Sequence, residues 1–89
     1  MQKKRRKLNK DFEKKIYSSK KNVELVLAKI HDIDDEDIQK EYMSGFNGVV
    51  YLYEELKEDY EQIGFNDNSE DLLANYKTAF NLFEAEFEL

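Results

Sequence analysis

Apolar residues recur along this chain at alternating intervals of four and three, the spacing that keeps them on one face of an α-helix. The first series is Phe12, Ile16, Ser19, Val23, Val26 and Ile30, with Ser19 its one polar member, and it predicts a helix over about residues 8–31. The second runs Tyr42, Phe46, Val49, Tyr53, Leu56, Tyr60, Ile63 without a slip, and the third Leu73, Tyr76, Phe80, Phe83, Phe87. Between them lie two polar stretches. In His31-Asp32-Ile33-Asp34-Asp35-Glu36-Asp37, the imidazole suits the negative end of one helix and the acids suit the positive start of the next, with Asp34 or Asp35 as N-cap. Gly64 stands where a helix-ending glycine belongs, and Asp67-x-x-Glu70 and Asn68-x-x-Asp71 have the form of capping boxes.

Ser44-Gly45-Phe46-Asn47-Gly48 has the composition of a turn, yet Tyr42, Phe46 and Val49 keep phase through it. The expectation is a continuous second helix, kinked or closely crossed at Gly45 and Gly48. The last residues, Phe83 to Leu89, also alternate by two as a strand would, but the helical series Phe80, Phe83, Phe87 outweighs that reading. Three long helices joined by short loops predict an all-α fold, a small antiparallel three-helix bundle. The chain of 89 residues is expected to form a single domain, 1–89, with residues 1–7 a flexible basic arm.

Composition narrows the chemistry. Leu, Ile, Val and Phe account for 24 of 89 residues, enough to fold, and cysteine is absent, which excludes disulfides, thiolate metal sites and cysteine nucleophiles. A single histidine, His31, and a handful of hydroxyls (Ser18, Ser19, Ser44, Ser69, Thr78 and the tyrosines) offer no nucleophile paired with a base, so the chain is read as no enzyme and as needing no cofactor. An EF-hand loop starting at Asp32 would need Gly at position 37 and Glu at position 43, where Asp37 and Met43 stand, so no metal site is expected. No apolar run is long enough to span a membrane and no secretory leader is visible, which points to a cytoplasmic protein without membrane contact.

Charge changes the picture most. The net −6 is the remainder of two opposed halves: residues 1–29 carry 11 Lys/Arg against three acids, and residues 30–89 carry three Lys against 17 acids. The basic arm is Lys3, Lys4, Arg5, Arg6, Lys7 and Lys10; it could neutralise phosphates, but the acidic body opposes a polyanion and nucleic-acid binding is the lesser reading. The acids crowd at Glu54, Glu55, Glu58, Asp59 and Glu61 and again at Glu84, Glu86 and Glu88, a density able to mimic nucleic-acid phosphates and occupy a basic channel. Tyr17, Tyr51, Leu52 and Leu82 fall off the apolar series and are candidate anchors for a partner or for a second copy in a homodimer.

In size and helical pattern the chain is similar to the small inhibitors carried by phages and mobile elements, among them anti-CRISPR proteins, antitoxins and immunity proteins. That resemblance implies a non-enzymatic protein that inhibits or regulates a macromolecule by occupying it, with a basic protein surface as the expected partner. The alternatives are a nucleic-acid accessory protein working through the basic arm, and a self-assembling structural component.

Overall fold

The computed structural model describes the backbone of residues 2–87 and the side chains of residues 10–87. It is three helices and two short loops: α1 (Gln2–His31), α2 (Glu36–Ile63) and α3 (Ser69–Glu86). Helix α2 lies in the middle, packed closely along α3 and more openly against α1. No strand forms among the described residues: of the C-terminal alternation, residues 83–86 are helix and Phe87, in extended conformation, ends it.

The apolar series become the core almost residue for residue. Phe12, Ile16, Val23, Val26 and Ile30 of α1, Phe46, Val49, Tyr53 and Leu56 of α2, and Leu73, Tyr76 and Phe83 of α3 are buried, with Phe46 wholly enclosed at 0% exposure. Ser19 belongs to this core because its hydroxyl donates to the Lys15 carbonyl at 2.8 Å, which satisfies the buried oxygen within its own helix. The Ser19 carbonyl in turn accepts the Tyr76 hydroxyl at 3.3 Å, a hydrogen bond joining α1 directly to α3.

Ile63 departs from expectation. It is 67% exposed, because the chain turns immediately at Gly64, whose φ of 79° is the left-handed conformation that favours glycine. Phe65, on the far side of that turn, takes the place the series had given to Ile63 and meets Phe12 edge-on at 5.2 Å. Helix α1 also begins at Gln2 rather than near residue 8, so the backbone of the basic segment continues the helix; nothing there is Gly or Pro, and extending an existing helix costs far less than nucleating one. The side chains of Lys3, Lys4, Arg5, Arg6 and Lys7 lie outside the described residues.

The two loops are fixed by side chains. Asp35 caps α2, its carboxylate accepting from the Asp37 and Ile38 amides at 2.9 and 3.2 Å. Gln39 then reaches back to donate to the last carbonyls of α1, those of Ile30 and His31. At the second loop neither capping box forms: the Asn68 side chain makes no cap. Instead Asn66 and the buried Ser69 exchange hydrogen bonds, and the Asn66 amide group also donates to Asp59 and to the Gly64 carbonyl.

Helix α2 runs unbroken through both glycines, and they differ in purpose. A Cβ on Gly45 would fall 2.5 Å from the Phe87 ring, so this glycine is where the end of α3 closes onto α2, whereas a Cβ on Gly48 would meet nothing within 4 Å. Gly48→Ala is therefore expected to stabilise the fold by about 0.5–1 kcal/mol through helix propensity, with Gly45→Ala gaining less or losing stability as Phe87 is displaced. Phe46→Ala, which empties the most enclosed site, is expected to cost about 3–5 kcal/mol. Urea denaturation followed by helical circular dichroism measures all three, and equal effects of the two glycine substitutions would contradict the assignment.

Candidate protein-binding surfaces

Because α2 contacts both other helices, the bundle presents three kinds of surface. The outer face of α2 turns away from the core and carries Tyr51, 68% exposed, followed within two turns by the exposed Glu54, Glu55 and Glu58. A ring with its polar tip in water, set among carboxylates, is the composition of an interface anchor. Glu61, also exposed, continues the acid toward α1 and lines a groove with Tyr53, Glu54, Lys57 and Glu58.

Not all the acids share that face. Asp59 is half-buried and accepts the Asn66 amide at 2.8 Å, so it braces the second loop. Glu84 and Glu86 lie on opposite flanks of α3, the first lining the cleft toward α1 and the second the groove toward α2. Glu88 lies outside the described residues. The acidic surface is thus a stripe on α2 with outlying charges on α3.

The apolar anchors separate in the same way. Leu82 is 65% exposed and lines a shallow groove of about 230 Å³ between α2 and α3, bordered by Gly45, Gly48 and Ala79. Leu52 borders the same groove but is half-buried and packs against the core, so most of its apolar surface is already spent. Tyr17 stands apart on α1, 58% exposed, with the Lys21 ammonium 4.9 Å over its ring.

An opening of about 440 Å³ separates α1 from α3. Lys14, Lys15, Ser18 and Asn22 form one wall, and Lys77, Asn81 and Glu84 the other, with Tyr76 and Phe80 between them. Among the described residues no cluster of three or more His, Asp or Glu side chains converges as a metal site, and no helix is long and apolar enough to cross a membrane. Neither family models nor curated proteins nor solved structures give a match to the chain, so the reading of these surfaces rests on their own geometry.

Three tyrosine hydroxyls beneath the surface titrate above the ordinary 10.0. Burial is the main cause in each: Tyr53 is pushed further by Glu24, Glu61 and Glu54, Tyr60 by Glu13, and Tyr76 by Tyr53 and Glu84. The folded chain therefore holds these protons at a pH where the unfolded chain has begun to lose them. The stabilisation is complete below pH 10 and lost as the pH climbs through the raised values. Chemical denaturation between about pH 9 and pH 11 should show stability falling, and Tyr76→Phe should flatten that fall. A wild-type stability that is level or rising over this range would contradict the assignment.

Proposed function

We propose that this is a non-enzymatic binding protein that inhibits or regulates a macromolecular partner by occupying it, the mode of action of the mobile-element inhibitors it resembles in size and pattern. The observation that carries the reading is the outer face of α2, where an exposed Tyr51 precedes three exposed carboxylates, Glu54, Glu55 and Glu58. Carboxylates at intervals of one and three residues put a line of negative charge along the helix, and the ring beside them supplies apolar area at low conformational cost. The chemistry that fits is a basic protein surface: long-range attraction speeds the encounter, and the aromatic ring holds the complex once formed. Leu82 and the groove beside it offer the same partner an apolar contact on the adjoining flank.

A second reading draws on the continuity of α1. With the helix starting at Gln2, the positions of Lys3, Lys7, Lys10 and Lys14 recur at intervals of four, three and four along one helical face. Such a stripe suits weak, sequence-blind contact with phosphates, and binding that falls steeply with salt would mark it.

Exposed glutamates on a helix tolerate lysine without loss of helix propensity, so Glu54→Lys, Glu55→Lys and Glu58→Lys together should leave the circular dichroism spectrum intact. Pull-down from a lysate of the source cell, read by mass spectrometry, is expected to retain a basic protein on the wild type. The capture should be lost at about 1 M salt, where the Debye length shrinks to about 3 Å, and lost in the triple variant. Capture that survives the triple reversal would overturn the acidic mechanism.

A further inference from the structure

Helices α1 and α3 both pack on α2 and leave between them a cleft of about 440 Å³, within the roughly 300–1,000 Å³ of small-molecule sites. The two helices run in the same direction. The Tyr76 hydroxyl donates to the Ser19 carbonyl at 3.3 Å, which sets their relative height and pins the Tyr76 ring on the floor of the cleft. Charge is sorted along the cleft from that level. Lys14 and Lys15 lie about one turn before Ser19, and Lys77 directly follows Tyr76, so three ammonium groups share one end. Glu84 stands about two turns beyond Tyr76, at the other end, and the carboxamides of Asn22 and Asn81 lie between. All six of these side chains are exposed, and none has an ion pair or hydrogen bond to another described residue.

We propose that this cleft binds a phosphate ester carried on a planar aromatic ring, a molecule the size of a mononucleotide. The three ammonium groups hold the phosphate as point charges. Beyond them Tyr76 and Phe80, with ring centroids 5.9 Å apart, form the apolar floor on which a flat ring packs. Asn22 and Asn81 each offer a donor and an acceptor, the groups that meet the edge of a nucleobase, and Glu84 accepts from an exocyclic amine at the same end. A docked peptide helix fits this place poorly, because it binds through apolar anchors and the side chains of both walls are polar. A long polyanion fits poorly as well: the net −6 of the chain repels it, whereas a small dianion is confined to the lysine end. The inference uses none of the α2 carboxylates, so it stands or falls separately from the proposed function.

Nitrogen-15 spectra of the chain titrated with adenosine 5′-monophosphate at low salt follow the Asn22 and Asn81 side-chain amides directly. Saturable shifts are expected there and in the backbone of residues 14–22 and 76–84. Inorganic phosphate and adenosine, each lacking one half of the ligand, should bind about tenfold more weakly or worse. Lys77→Glu should weaken nucleotide binding by about tenfold. Lys57→Glu makes the same change of charge on α2, outside the cleft, and should leave binding as it is. Both positions are exposed, and circular dichroism verifies that both variants keep their helices. The absence of a saturable shift at about 10 mM nucleotide overturns the proposal. So does phosphate binding as well as the nucleotide, or an equal loss in the two variants. Tighter binding of a single-stranded oligonucleotide also overturns it, by assigning the lysines to a strand.

Discussion

Helix α2 has to bury a single apolar stripe against two helices at once, and the rest of the molecule follows from that constraint. Phe46 meets Phe83 with ring centroids 4.8 Å apart and Phe80 at 6.0 Å, and Tyr53 meets Tyr76, so the α2–α3 seam is filled mainly by aromatic rings. The α1–α2 seam is aliphatic along most of its length and aromatic at one end, where Phe12 closes on Tyr60 and Phe65. Large rings give one slender helix enough contact area to hold two neighbours. The partners of α2 are correspondingly left apart from each other: α1 and α3 are bridged by the Tyr76–Ser19 hydrogen bond and otherwise border an open cleft.

The same arrangement decides how charge is displayed. Placing α2 between the others leaves its outer face free, and that face holds Tyr51 and the densest run of exposed acid. Placing α1 antiparallel beside it brings the basic third of the chain level with that acid. The modest net charge of −6 thus conceals a basic first helix beside an acidic second one. Opposed charges carried on adjacent rigid helices satisfy each other only weakly across a groove, which leaves the exposed acids of α2 in water.

Much of this is written in the spacing of apolar residues. A helix commits one face to the core and repeats it every 3.6 residues, so Phe12 to Ile30, Phe46 to Leu56 and Leu73 to Phe83 announced both the helices and the sides they bury. What the pattern could not show was decided across the chain. Ile63 fits the period and is exposed because a glycine turn intervenes, while Phe65 breaks the period and packs. Asp59 reads as one acid among many and becomes a brace because Asn66 folds back onto it. Leu52 looks free on a helical wheel and is half covered by α3. The candidate site residues were legible as types, acids with a tyrosine among them, but their division between α2 and the two flanks of α3 depends on how the helices are arranged around α2.

Whether the outer face of α2 is the surface offered to a basic partner is tested most directly by nitrogen-15 spectra of the chain titrated with a basic polypeptide at low salt. Tyr51, Glu54, Glu55 and Glu58 are exposed on that face, and amide shifts are expected to move between Tyr51 and Glu58 while those of α3 stay in place. Shifts centred on α3, or none at all, would contradict it.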